Sequence, residues 1–556
     1  MCGITGFWGS KAVEPEIAER MARRIETRGP DDAGVWKDDD AGLALGHRRL
    51  SIIDLSHAGH QPMHSPCGRY VLIYNGEIYN HQDLRAELET EGGAFNWRGH
   101  SDTETLLAAL RHWGVQGGLQ RVNGMFALAL WDAFERTLFL ARDRMGIKPL
   151  YYGHSGGTFL FASELKALRA HPSWQGEVDR DALALFMRHN YVPAPWSIYQ
   201  GIAKLPSAHY VVIRENGNHV GEPICYWDLA QVAADGLAST NGDPQSLTDE
   251  LDKLLRDAVY RRMAADVPLG AFLSGGYDST TVTALMQAQS DRPVKTFSIG
   301  FHEEHYNEAK HAKEVATHLG TDHTELYVTP EEAMAIIPNL PTIYDEPFSD
   351  SSQIPTYLVS QLTRRHVTVS LSGDGGDENF GGYTFRYRPH ILESNIRHKL
   401  PTWFRSSVFT TLGELYPASK KLPQFLRFKT FLQNLAVSDS QAFYQDLVWL
   451  NSRDREKLYT RNFQNSLLGF TPFEMVQPKY IGSDAPDAMG RAQYTDLHFY
   501  MTEDVLAKVD RMSMAHSLEV RSPFLDHNLI EFAATLPSKL KLNGKQGKLL
   551  LRQAAA

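Results

Sequence analysis

The sequence predicts two units of different class. An α+β unit covers residues 2–215, and an α/β unit with a mainly parallel sheet and a helical C-terminal part occupies the rest. Three observations predict this division. Up to residue 215, strand-length apolar runs alternate with Gly, Asn and Asp. The stretch Ala230–Ser246 is then small and polar, with no periodic apolar face. Beyond it the rhythm becomes strand, helix, strand.

In the first unit, Gly42–Gly46, Tyr70–Tyr74, Phe126–Trp131 and Leu138–Ala141 read as strands. Glu16–Ile25 and Asp102–Trp113 carry apolar residues at helical spacing, and the second opens on an Asp in capping position. Residues 216–246 read as a linker and 247–556 as the second unit. There, strand Leu269–Leu273, helix Thr280–Gln289 and strand Thr296–Gly300 fit one βαβ element. Helix Asn307–Leu319 and strands near Glu325–Val328 and His366–Leu371 extend the series. From Pro389 onward the pattern is mostly amphipathic helix.

Composition narrows the functional classes. The 556 residues carry 56 Lys and Arg against 66 Asp and Glu, a formal charge of −10, with 42% hydrophobic and 22% charged residues. Disorder, collagen and low-complexity classes are excluded. A mild acidic balance without a basic run argues against a nucleic-acid partner. Since no apolar run approaches the ~20 residues that cross a bilayer, no membrane partner is expected. Met1–Lys11 lacks the basic start and apolar core of a signal peptide. Three scattered cysteines, Cys2, Cys67 and Cys225, do not form a disulfide framework, so a reducing, cytoplasmic setting is expected.

Cys2 stands where position matters. Removal of Met1 would leave a free α-amine that titrates at ~7.7 to 8.0 and can serve as a base for the adjacent thiol. Cys2-Gly3-Ile4-Thr5-Gly6, Arg28-Gly29-Pro30-Asp31, His47 to Asp54, Tyr74 to Asn80, Gly99 to Glu104 and Arg142 to Tyr151 follow in that order. Together they resemble the glutaminase domain of class II, N-terminal-nucleophile (Ntn) amidotransferases. The resemblance implies that Cys2 attacks the glutamine amide while the Asn75 side chain and the Gly76 N–H hold the oxyanion. It also implies a glutamine pocket formed by Arg49, Leu50, Ser51, Ile52, Ile53, Asn75, Gly76, Glu77 and Asp102. Arg49 would take the α-carboxylate, and Glu77 and Asp102 the α-ammonium. Taken singly, Asn75-Gly76 reads as a hairpin turn.

A second constellation begins at Ser274-Gly275-Gly276-Tyr277-Asp278-Ser279-Thr280, after an apolar strand and at a helix start. Such a loop presents backbone N–H groups to a polyanion. It lacks the Gly-Lys-Ser/Thr ending of a Walker loop and resembles the pyrophosphate loop of ATP-pyrophosphatases. Ser370 to Glu378, Phe380-Gly381-Gly382-Tyr383, Lys508 to Ala515 and Leu518 to Asp526 follow. Behind a glutaminase unit, these strings resemble the glutamine-dependent asparagine synthetases. By that resemblance ATP is a substrate, bound by Leu273, Ser274, Gly275, Gly276, Asp278, Ser279, Ile299, Ser372, Gly373 and Lys508. Leu273 and Ile299 would line adenine, and Asp278 and Asp377 would hold Mg²⁺. Lys508 and Arg511 would neutralise phosphate charge. Asp374 stands where relatives have a Glu, one methylene longer, so Asp377 and Glu378 share its work or the acceptor sits differently.

The composite expectation is hydrolysis of glutamine, activation of a carboxylate as an acyl-adenylate, and attack by ammonia delivered through an interdomain channel. Aspartate is the expected acceptor, bordered by Tyr344 to Ser352. A sugar uronic acid or a natural-product precursor is the alternative, and a non-catalytic scaffold the alternative of another class. A homodimer is the expected assembly. Relatives usually continue past the helix ending at Ala556, so truncation is expected too.

Overall fold

The structure, a computed structural model, describes residues 2–9, 14–92, 95–237, 243–301, 308–417, 423, 428–450, 452–467, 469–483 and 485–555. The first unit is built on two antiparallel sheets. One has strand order β10-β8-β9-β1-β3-β2 and comprises β1 (Gly3–Trp8), β2 (Asp32–Asp38), β3 (Leu43–Arg49), β8 (Tyr151–Ser155), β9 (Thr158–Ala162) and β10 (Ile202–Lys204). The other has order β12-β11-β7-β6-β5-β4, with β13 also on β11. Its strands are β4 (Met63–His64), β5 (Tyr70–Ile78), β6 (Gly124–Asp132), β7 (Thr137–Arg142), β11 (His209–Arg214), β12 (His219–Val220) and β13 (Ile224–Cys225).

Strand alternation assigns each side chain to a layer. Ile4 and Trp8 of β1 meet Val71, Ile73, Ala127, Ala129 and Trp131 of the facing sheet to form the central core. Phe7 points the other way, onto Ala18 and Met21 of helix Pro15–Arg23. Leu72, Tyr74, Phe126 and Leu128 likewise pack outward on Leu84, Leu106 and Leu110 of two helices, His81–Thr90 and Asp102–Arg121. Two sheets enclosed by helices form the expected Ntn-type α+β unit.

The second unit has five parallel strands in the order β16-β15-β14-β17-β18. These are β14 (Leu269–Phe272), β15 (Lys295–Phe301), β16 (Asp322–Val328), β17 (Val369–Leu371) and β18 (Glu519–Arg521). Its core joins helix Pro244–Arg262 through Leu251, Leu255 and Val259 to Val282, Met286, Leu371, Phe524 and Leu551. The expected parallel α/β sheet and helical C-terminal part are both present.

Several local expectations change. Asn75-Gly76 is not a turn. It lies inside β5, paired with Ala127 and Phe126, and a Cβ on Gly76 would overlap the Met125 carbonyl oxygen. Helix Asp102–Arg121 is capped by Ser101, whose hydroxyl accepts from Thr103 N at 3.1 Å; Asp102 is the first helical residue. The helix breaks at Gly114, where φ is +73°.

The stretch 216–246 is not bare linker. It contains β12, β13, helix Leu229–Leu237 and the start of helix Pro244–Arg262, with 238–242 outside the described residues. Small residues hid that helix, whose Leu229, Ala230 and Ala233 are buried. Strand β18 has no signature in the sequence, because three residues, Glu-Val-Arg, carry no alternation signal. The helix expected from Asn307 spans Ala309–Leu319, and Asn307 itself lies outside the described residues. Pro389 sits within helix Thr384–Arg397 rather than at its start.

Candidate active site

The N-terminal site is assembled from strand ends. Cys2, 7% exposed, precedes β1, and its backbone N–H donates to Asn75 Oδ1 at 2.9 Å. The other end of that amide, Asn75 Nδ2, is buried and without a hydrogen-bond partner among the described residues. A buried, unused donor beside a thiol is what an oxyanion site requires. Cys2 Sγ lies 4.0 Å from the Leu50 carbonyl oxygen. Burial pushes the thiol above its usual range, the backbone contact from Leu50 and the charge of Arg49 opposing, so its ionisation calls for a neighbouring base. The proposed removal of Met1 falls outside the described residues.

The loop after β3 shapes the pocket. Arg49 is held by three backbone carbonyls, Ser56 O at 3.0 Å, Asp54 O at 2.5 Å and Ile53 O at 3.4 Å. Ser51 N donates to Asp31 Oδ2 at 2.8 Å, and Leu50 and Ile52 are buried against Tyr79, Met125, Val369 and Met514. Asp102 Oδ2 accepts from Tyr74 OH at 2.9 Å and from Ile78 N at 3.0 Å, which fixes it beneath β5. Glu77, 3% exposed, pairs through Oε2 with Arg521 Nη2 at 3.1 Å. Burial and Asp102 push its carboxyl well above the usual range, and Arg521 opposes them.

In the second unit two glycine loops lie face to face. Ser274 Oγ and Ser279 Oγ are 3.0 Å apart, and Gly276 N donates to Ser274 Oγ at 3.3 Å. Gly275 needs its freedom, with φ at +79° and the next helix behind it. A Cβ on Gly373 would come within 2.8 Å of Ser279 N, and one on Gly376 would overlap the Asp278 carboxyl. Asp278 Oδ2 pairs with Lys548 Nζ at 2.5 Å, and Lys548 reaches Asp377 Oδ1 at 2.7 Å. Asp278 Oδ1 is buried and unpaired among the described residues. Burial pushes Asp278 up to about 6; Lys548 opposes this, and Asp377 and Asp374 add to it. Two facing carboxylates with a free oxygen are hard donors of the kind Mg²⁺ takes.

Asp374 is held by Ser372 Oγ at 2.8 Å, and burial raises its carboxyl above the usual range. Glu378 is turned elsewhere: its Oε1 accepts from Tyr383 OH at 2.7 Å, and burial pushes it up to about 7. Lys508 is not on a solvated face but bonds Asp350 Oδ2 at 3.1 Å and Ser352 Oγ at 2.6 Å, joining the segment expected to border the acceptor. Leu273 packs on Ala312 and Ala316, whereas Ile299 packs with Val328, Ile336 and Leu358.

Arg511 is not among the nucleotide loops. It pairs with Glu164 Oε1 at 2.8 Å, beside Tyr151 and the Ser163 carbonyl. That places it in a buried ionic seam between the two units. There Arg28 donates to the Cys2 carbonyl at 3.0 Å, to Glu164 at 2.8 Å and to both oxygens of Asp510 at 2.7 and 3.0 Å. Lys204 meets Glu346 at 2.7 Å. Sequence reasoning assigned no role to Arg28, Arg521 or Lys548. The first two stand inside quoted motifs; Lys548 carries no signal beyond the glycines near it.

Comparison with known proteins matches both parts of the chain to known families. The family model of the glutamine amidotransferase domain matches residues 1–227, and that of asparagine synthase matches residues 250–556. Asparagine synthetase (glutamine-hydrolyzing) 1 of Bacillus subtilis is 34% identical over 100% of this chain and 84% of its own length. Asparagine synthetase (glutamine-hydrolyzing) 3 of the same organism is 31% identical over 100% and 84%. Amidase chry2 of Gibberella zeae is 30% identical over 100% and 86%. A solved glutamine phosphoribosylpyrophosphate amidotransferase from B. subtilis aligns at TM-score 0.31 and 15% identity, covering 68% of this chain and 77% of that one, too slight a likeness to argue from.

Proposed function

This chain belongs to the glutamine-hydrolysing asparagine synthetase family and is a glutamine-dependent ligase; from that premise we propose that it converts aspartate to asparagine. The observation that carries the reading is the presence, in one chain, of Cys2 beside the unused Asn75 donor and of two glycine loops closed on Asp278.

Cys2 Sγ attacks the glutamine amide carbon, and the oxyanion that forms is held by Asn75 Nδ2 and the Gly76 N–H. Arg49 orients the α-carboxylate, while Glu77 and Asp102 take the ammonium group. Ammonia leaves and water hydrolyses the thioester to glutamate. We assign this step to residues 2–215 and the next to residues 247–556.

In the second unit Ser274, Ser279 and the loop N–H groups hold the phosphates, with Lys548 between Asp278 and Asp377. Asp278 and Asp377 would hold Mg²⁺, which supplies charge neutralisation at the pyrophosphate. A carboxylate oxygen of the acceptor attacks the α-phosphorus and pyrophosphate leaves. Ammonia then attacks the acyl carbon, AMP departs, and Asp374 is placed to take the proton. The buried apolar seam from Leu50 and Ile52 through Met125 and Met514 to Val369 joins the loop beside Cys2 to the strand that leads to Asp374. We assign ammonia transfer to this seam.

The test is a screen of carboxylic acids for ATP-dependent pyrophosphate release by the whole chain. Aspartate should give the highest kcat/KM, with asparagine and AMP as co-products. Release driven by a uronic acid and not by aspartate would transfer the same chemistry to another acceptor, and no release with any acid would refute the acyl-adenylate step.

A further inference from the structure

Glu77 and Arg521 stand 444 residues apart in sequence, yet their side chains meet at 3.1 Å with both fully or almost fully buried. We propose that Arg521, supplied by β18 of the second unit, is the positioning residue of the glutamine site and orients the Glu77 carboxylate to receive the substrate ammonium. The proposal rests on the reading of Glu77 as an ammonium ligand.

The guanidinium itself cannot swing away. Its Nε donates to Glu519 Oε1 at 2.7 Å, and Nη1 donates to the carbonyls of Arg262 and Ala264 at 2.9 and 2.7 Å. Only Nη2 is directed at Glu77. The planar fork converts this anchoring into a fixed direction, which a flexible ammonium could not do. One oxygen of Glu77 is thereby committed, while the other, Oε1, is buried without a hydrogen-bond partner among the described residues. A carboxylate with one oxygen pinned and one oxygen free in a buried site is ready for a cation. Asp102, the other proposed ammonium ligand, has Oδ2 committed in the same way to Tyr74 and Ile78. Without Arg521, two neighbouring buried carboxylates would repel each other in the empty site.

The glutamine site is therefore completed from the second unit. The backbone of Arg521 meanwhile supports the other site, since its carbonyl accepts from Ser372 N at 2.9 Å and the next residue, Ser522, bonds the Asp374 carbonyl. Substituting the side chain leaves those backbone contacts in place. Ammonia-driven synthesis thus becomes an internal control for folding.

The experiment measures glutamine KM and kcat, together with ammonia-driven synthesis, in the full chain carrying Arg521→Met, Arg521→Lys or Glu77→Gln. Arg521→Met removes all four side-chain bonds, of which the one to Glu77 bears on the ammonium ligand; its loss predicts a glutamine KM raised about tenfold, with kcat and the ammonia-driven rate within about threefold of the parent. Arg521→Lys should fall between, at about threefold, because the amine reaches one carboxylate and not both. An unchanged KM in Arg521→Met, or equal losses with glutamine and with ammonia, overturns the positioning role. Should the Met variant fail to fold, the Lys variant decides, and an unchanged KM there overturns it equally. An unchanged KM in Glu77→Gln overturns the underlying reading of Glu77, whereas a raised KM there with an unchanged KM in Arg521→Met overturns the proposal alone.

Discussion

Replacing Asn75 by Ala isolates one step of the chemistry. In the resting enzyme Asn75 Oδ1 receives the Cys2 N–H at 2.9 Å, while Nδ2 is buried with nothing to donate to among the described residues. An interaction missing from the ground state and made only as the oxyanion forms contributes to kcat and not to substrate binding. Removing one such donor costs about 2.7 to 4 kcal/mol, or roughly 10² to 10³ in kcat. The assay is release of glutamate from glutamine, with ammonia-driven pyrophosphate release as the companion measurement. Glutamine KM should change by less than about threefold and the ammonia-driven rate should stay at the parent value. A kcat within about threefold of the parent, or a loss carried entirely by KM, would refute the oxyanion role.

Cys2→Ala should abolish glutamine-driven synthesis and retain ammonia-driven synthesis, as measured by AMP formation with each nitrogen source. Gly376→Ala places a methyl group on the Asp278 carboxyl; pyrophosphate release should fall by at least about tenfold while glutaminase activity is kept, and full synthetase activity would contradict the stacking of the loops. Burial raises the Asp278 carboxyl from the ordinary carboxylate range to about 6. Its native state thus binds the proton more tightly than the unfolded chain, so the stability it contributes in acid is lost as pH rises through about 6, and below that pH the carboxyl is neutral. The half-saturating Mg²⁺ concentration in pyrophosphate release should accordingly rise as pH falls below about 6, and a pH-independent value would contradict the assignment.

The local motifs were legible in sequence for a physical reason. Asn75-Gly76 and the Ser-Gly-Gly-x-Asp-Ser loop are short, rigid motifs and Cys2 is marked by its position; the structure brings Cys2 and Asn75 together across 73 residues. What was not legible depends on contacts formed across the chain. Arg511 resembles a phosphate ligand by its neighbours, but Glu164 of the other unit claims it. Lys548 joins Asp278 from 270 residues away. Asp102 reads as a cap until Ser101 is seen to fill that role and β5 to hold the carboxylate. Helix Leu229–Leu237 was obscured because alanines bury well without looking apolar in bulk.

On this reading one chain links glutamine hydrolysis to activation of a carboxylate as its adenylate. Aspartate labelled with ¹⁸O in its side-chain carboxylate, incubated with the full chain, MgATP and amide-¹⁵N glutamine, tests it directly by mass spectrometry. The expected products are ¹⁵N-asparagine and AMP carrying one ¹⁸O. Label in inorganic phosphate with ADP as product, or unlabelled AMP, would contradict this reading.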